Sequence, residues 1–210
     1  MAMRVERIGV GMLAVNCYVA MQTESGRSFI VDPGDEAGTI LRRLRETGIS
    51  PAAIRLTHGH VDHIRAVPEI ARSLSIPVWI HEKDRRLYRS PSNALLPWIT
   101  AAENLPEPCE TFPLADDGEA CVIHTPGHTP GCCCFYFKNS RVLFTGDTLF
   151  RENAGRTDLE GGSEAAITQS LKKLFALPDA TVVYPGHGPE STIGHEKENN
   201  PFADRAIPEK

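Results

Sequence analysis

The stretch LTHGHVDHIRAV, residues 56–67, places His58, His60, Asp62 and His63 within six positions, directly behind the strand-like run AIRLT. Imidazole nitrogens and a carboxylate are the donors that borderline divalent cations prefer. One such residue at a strand end is usually just a polar side chain. Four of them in one bend point to a metal.

Three further places repeat the phrasing. VIHTPGHT (122–129) supplies His128, VLFTGDT (142–148) supplies Asp147 and TVVYPGHG (181–188) supplies His187. In each, an apolar run hands over to a glycine-containing turn with the candidate ligand beside it. Strands in a sheet deliver their ends to a common edge, so turns distant in sequence can converge on one crevice. Glycines 59, 127, 146, 186 and 188 remove bulk there and permit positive φ. Five histidines and two aspartates exceed the needs of one four-coordinate ion, and two ions sharing a bridging carboxylate are the simplest fit. Zinc suits this donor set first, with iron or manganese as alternatives. His81, His124 and His195 lack the phrasing and are read as ordinary polar residues, at a strand end, mid-strand and near a helix start respectively.

The rest of the chain is compatible with one globular domain, 1–210. Its 210 residues are 41% hydrophobic and 23% charged, with a net charge of −5 and no cationic block longer than a pair such as Arg42-Arg43, so a nucleic-acid partner is not expected. The first residues, MAMRVERIGVGML, carry Arg4, Glu6 and Arg7 where a secretory signal needs an apolar run, and no membrane-spanning stretch follows. A cytoplasmic location is expected. The six cysteines include the adjacent Cys132, Cys133 and Cys134 and form no C-x-x-C pair, which reads as buried free thiols.

Runs rich in β-branched and aromatic residues predict strands at 27–32, 53–57, 77–81, 120–125, 132–137, 141–146 and 181–186. A period near 3.6 predicts helices through Ile40, Leu41 and Leu44 before Gly48, through Val67, Ile70, Ala71 and Leu74 around Pro68, and through Ile167, Leu171, Leu174 and Phe175 behind Ser163. The class is α/β or α+β. Segment 88–118, with five prolines, reads equally as a substrate wall or a surface connection.

His-x-His-x-Asp-His, a distant Gly-His-Thr, Gly-Asp-Thr and Pro-Gly-His-Gly together resemble the metallo-β-lactamase superfamily. NCYVA (16–20), VDPGD (31–35), TPGHTPG (125–131), LFTGDTLF (143–150), GRTDLEGGS (155–163) and ENNPF (198–202) are similar to its short glyoxalase II branch. The resemblance implies an αββα sandwich: two mixed sheets face to face, helices on the outer faces, metals at one edge. It also implies a partition, with His58, His60 and His128 on one metal, Asp62, His63 and His187 on the other, and Asp147 bridging. β-Lactamases of the main zinc class typically carry cysteine where Asp147 stands and no histidine at the place of His63, which disfavours lactam hydrolysis.

The function so implied is hydrolysis of an acylglutathione-like thioester, a small molecule, by a metal-bridging hydroxide, with Asp62 and Asp147 as catalytic residues. Two dications outweigh the two aspartates and the hydroxide, which favours an anionic substrate and a developing oxyanion. Arg151 and Arg156, after Asp147, are candidates to grip a substrate carboxylate. Larger glyoxalase II proteins bind glutathione partly through a helical C-terminal domain, whereas eight residues follow Phe202 here, so specificity stays open. Arg65 also departs from the family, where small residues are commoner. The alternatives are a mononuclear iron persulfide dioxygenase using His58, His128 and Asp147, and a lactone or ester hydrolase.

Overall fold

The computed structural model describes residues 2–95, 97, 99–111 and 120–206. The chain divides into two compact units, Met1–Leu114 and Ala115–Lys210.

The first unit is a five-stranded mixed sheet. β1 (Met3–Val10) and β2 (Val15–Gln22) form an antiparallel hairpin, β2 pairs antiparallel with β3 (Ser28–Val31), and β4 (Ile54–Arg55) and β5 (Val78–Trp79) extend the sheet in parallel. Parallel neighbours need crossovers, and helices supply them. α1 (Ala37–Thr47) joins β3 to β4, while α2 (Val61–Ile64) and α3 (Val67–Leu74) lie between β4 and β5. The periodic residues Ile40, Leu44, Val67 and Ile70 face a core with Val19, Ile30 and Ile54, each fully buried side chain contributing about 1.5–3 kcal/mol. α1 stops where the sequence says it should: Gly48 takes the left-handed conformation at φ 68° and donates its N–H to the Arg45 carbonyl.

β5 leads through a 3-10 turn (Glu82–Asp84) to α4 (Arg85–Arg89) and the proline-rich segment. That segment's described residues are held by polar contacts. Buried Asn93 donates to the carbonyl of Tyr88 and accepts from the Ala102 N–H at 3.0 Å. Residues 112–118 of the predicted 88–118 segment, with Leu96 and Trp98, lie outside the described residues.

The second unit repeats the scheme with the strand order β12, β11, β8, β7, β6. β6 (Ala120–His124), β7 (Cys133–Phe137) and β8 (Val142–Gly146) form an antiparallel meander, followed by the short hairpin β9 (Leu149–Phe150) and β10 (Asn153–Ala154). α5 (Glu164–Phe175) then crosses to β11 (Val182–Pro185), parallel to β8, with β12 (Ser191–Thr192) antiparallel at the edge. Ser163 caps α5 by accepting from the Ala166 N–H, and Leu171, Leu174 and Phe175 pack on Cys134, Leu143 and Val183. α6 (Ile193–Asn199) and α7 (Ala203–Ala206) finish the unit.

All seven expected strands and three expected helices are present, several trimmed. β4 and β5 keep only two residues each, and His124 ends its strand instead of lying within it. All six cysteines are free, four of them buried. Burial pushes the Cys134 thiol up to about 12, and raises Cys17 as well, with help from the neighbouring Asp32 charge. Thiolate is the reactive form, so the folded protein should give up two thiols, Cys109 and Cys121, to an alkylating reagent at pH 8, and all six only in denaturant. Mass spectrometry counts the labels, and four or more in the native state would contradict this packing.

Candidate metal centre

Parallel strands bring the first set of candidate ligands together. β3 and β4 run side by side, Ile30 opposite Ile54 and Val31 opposite Arg55, so Asp32 leaves one strand beside the point where Leu56 and Thr57 leave the other. Asp32 turns sharply at φ 49° and is buried. Its carboxylate accepts from the Thr57 N–H (2.8 Å), the Thr57 hydroxyl (2.6 Å) and His63 Nδ1 (2.9 Å). A carboxylate only accepts, so His63 Nδ1 carries the proton and its Nε2 presents a lone pair. The Thr57 hydroxyl hydrogen is committed to Asp32, which leaves its oxygen to accept from His58 Nδ1 at 3.1 Å. His58 is thereby set in the same tautomer.

The other two residues of the quoted stretch join them. The His58 ring lies 4.1 Å from that of His63 and 5.0 Å from that of His60, and His63 Nε2 is 3.7 Å from Asp62 Oδ2. Asp62 and His63 stand on the one-turn helix α2 and not in the bend itself. Gly59, between the first two histidines, donates its N–H to the buried carboxylate of Asp84. Gly34 is required by space: a Cβ there would sit 1.7 Å from the Asp62 carbonyl oxygen.

The second unit assembles the remaining three. β8 and β11 are parallel with Gly146 opposite Pro185, and the Gly186 N–H bonds the Gly146 carbonyl, so Asp147 and His187 emerge together. His128 comes from the β6–β7 loop, where Gly127 at φ 145° packs on Ile167 and accepts from the Ser163 N–H at the start of α5. His128 Nδ1 donates to the Arg156 carbonyl at 2.8 Å, which again fixes the proton on Nδ1. Its Nε2 lies 3.7 Å from Asp147 Oδ2, and His187 Nε2 lies 3.6 Å from the same oxygen. Gly155 mirrors Gly34, since a Cβ there would meet the Asp147 carbonyl oxygen at 1.8 Å.

Positive φ occurs at Gly127, Gly146 and Gly188 of the expected glycines, but not at Gly59 or Gly186. Spacing did not disclose Asp32, Thr57, Asp84, Gly34 or Gly155. The hairpin after Asp147 has a hidden support as well: buried Glu196 accepts from the Glu152 N–H, the Asn200 amide and the Ser191 hydroxyl, and Asn200 also donates to the Asn153 carbonyl. Arg156 presents its guanidinium to Asp158 through two bonds of 2.7 Å, holding that carboxyl down at about 2, while Arg151 pairs with Glu152 at 3.6 Å. His81 caps the 3-10 turn, His124 bonds the Pro130 carbonyl and His195 bonds Glu152.

The donor chemistry fits a divalent metal. His58, His63 and His128 are each polarised by an acceptor at Nδ1, leaving Nε2 beside a carboxylate or a second imidazole, which is how histidine ligands are oriented and made more basic. Two mixed sheets with helices, with histidines and aspartates at or beside the strand ends, fit the α/β class of metallo-hydrolases. The family model of the metallo-β-lactamase superfamily matches residues 10–187, and the chain belongs to that superfamily. A hydroxyacylglutathione hydrolase, GloC, of Haemophilus influenzae is 32% identical over 95% of this chain and 98% of its own. Among solved structures, TTHA1623 in a di-iron-bound form is 39% identical with a TM-score of 0.85, covering 94% of this chain and 99% of that one. BLEG-1, a B3 metallo-β-lactamase, is 34% identical with a TM-score of 0.85, covering 96% and 100%. No helix among the described residues is long and apolar enough to cross a membrane.

Replacing Asp32 by Ala should weaken metal binding about 10–100-fold in a chelator competition. It should also cost about 1–3 kcal/mol in denaturant unfolding, because the Thr57 N–H is left unsatisfied. Undiminished metal affinity would show that Asp32 supports the fold alone. Gly155→Ala, which drives a methyl into the Asp147 carbonyl, should lower metal content while Ser→Ala at exposed position 92 does not.

Proposed function

We propose that this protein hydrolyses a thioester of the acylglutathione type at a centre of two divalent metals. His58, His60 and His128 would hold one ion, Asp62, His63 and His187 the other, and Asp147 would bridge them. In this reading the two units are halves of one domain, which the single family match across residues 10–187 supports. The carrying observation is the intact ligand complement with its tautomers preset: Asp32 at His63, Thr57 at His58 and the Arg156 carbonyl at His128. Zinc remains the first choice from the donor set; the di-iron form of TTHA1623 makes iron the second.

Bound divalent ions would supply a water acidified toward neutrality and positive charge for a developing oxyanion. The chain's own groups supply the rest. Asp62, on α2, accepts the hydrogen bond of the attacking water and orients its lone pair toward the thioester carbonyl carbon. Asp147, with the Nε2 atoms of His128 and His187 at 3.7 and 3.6 Å from one of its oxygens, is placed to share an ion with them. A thiolate leaving group, pKa about 8.5, departs without a dedicated general acid. Arg156 serves here through its main chain. Its side chain would have to release Asp158 before taking a substrate carboxylate, so Arg151 is the better placed of the two candidates.

The GloC resemblance favours a thioester, and BLEG-1 makes a β-lactam the comparison to run. Metal-loaded protein should release thiol from S-lactoylglutathione, lose that activity to a chelator and regain it with added metal. His58→Ala should abolish turnover with the circular dichroism spectrum unchanged. Lactam opening without thiol release would replace the thioester by a lactam. One iron per chain with oxygen consumed against glutathione persulfide would replace hydrolysis by oxygenation.

A further inference from the structure

His187 is the candidate ligand of the second unit that burial holds least, its side chain 27% exposed against 4% for His128 and 11% for Asp147. Two structures flank it, and both lead to Glu196. Four residues beyond His187, Ser191 opens β12 and donates its hydroxyl to Glu196 Oε1. Glu196 Oε2 accepts from the Glu152 N–H at 2.8 Å and from the Asn200 amide at 2.7 Å, and Asn200 also donates to the Asn153 carbonyl at 3.0 Å. Glu152 lies in the turn of the β9–β10 hairpin and Asn153 starts β10, while Phe150 ends β9. The Phe150 ring stands edge-on to the His187 imidazole, the centroids 6.1 Å apart. The far end of the His187 loop and the aromatic side chain beside its ring are thus fixed to one fully buried carboxylate. Three donors suit a group that only accepts.

We propose that Glu196 is a positioning residue for His187, holding the imidazole where it can share an ion with Asp147, and so sets how tightly the second metal is retained. The proposal rests on the two-metal reading for the ion, but not for the placement of His187. Glu196 acts only from behind, as partners of ligand residues do when they fix a ligand's orientation.

Zinc affinity is measured by chelator competition on wild type, Glu196→Ala, Glu196→Gln, His187→Ala and the double variant His187→Ala with Glu196→Ala. Wild type should hold two ions, and His187→Ala shows which of them depends on that ring. Glu196→Ala should weaken the same ion about tenfold and leave the other unchanged. Glu196→Gln should stay near wild type, because its amide oxygen still accepts from Glu152 and Asn200 while its NH2 donates to a reversed Ser191 hydroxyl. In the His187→Ala background, Glu196→Ala should cost the remaining ion nothing, whereas a general loosening of the fold would weaken it. Wild-type affinity in Glu196→Ala, equal weakening of both ions, or an equal loss in the glutamine variant would overturn the role of Glu196. If Glu196→Ala does not fold, Phe150→Ala decides, by the same selective loss or by its absence. Should wild type hold a single zinc or none, the two-metal reading fails, and hydrogen exchange of the metal-free protein judges the positioning. Amides of residues 186–188 exchanging faster in Glu196→Ala than in Glu196→Gln would support it, and equal rates would overturn it.

Discussion

The site depends on one buried carboxylate. Asp32 stands at the end of β3 and takes three donors, two from Thr57 at the end of β4 and one from His63 on α2. This ties together two strand ends and a helix that no continuous secondary structure connects. An unpaired carboxylate in that place would be expensive, and an unpaired His63 would be free to rotate and to exchange tautomers. Each removes the other's penalty. The cluster holds further: Asp32 is one reason the Cys17 thiol stays protonated, and through Thr57 it sets the tautomer of His58.

The two units solve the same problem with the same means. In each, a pair of parallel strands ends level, an aspartate follows one of them, and a glycine from another loop presses against an aspartate carbonyl so closely that no Cβ would fit: Gly34 on Asp62, Gly155 on Asp147. In each, a histidine is steered from behind, by a side chain in one case and by the Arg156 carbonyl in the other. Short strands suffice because they only deliver loops, and the apolar faces of α1, α3 and α5 pack on the sheets to help keep them in place.

What the sequence disclosed follows from range. α1, α3 and α5 were legible because their period, caps and stops lie within a dozen residues of one another, and Ser163 and Gly48 do the capping expected of them. The candidate ligands were legible because donors crowd at strand ends. The β1–β2 hairpin was not, since β1 interleaves Arg4, Glu6 and Arg7 with its apolar residues and carries no Asn-Gly or Asp-Gly turn. α2 is too short to show a period. Asp32 was visible only as part of VDPGD, because its partners lie 25 and 31 positions away and nothing local marks a residue that acts across such a gap. Arg151 and Arg156 could be singled out from their position after Asp147, but not their neighbours: Arg156 is held by Asp158 at 2.7 Å and Arg151 lies 3.6 Å from Glu152.

In the proposed centre, seven side chains would hold two metals with Asp147 shared by both. Anomalous diffraction from crystals grown with zinc, recorded on either side of the absorption edge, addresses it without reference to any substrate. Two full peaks are expected, one contacted by His58, His60 and His128, the other by Asp62, His63 and His187, with Asp147 oxygen between them. A single peak, or peaks that leave His187 or Asp62 without a metal, would contradict it.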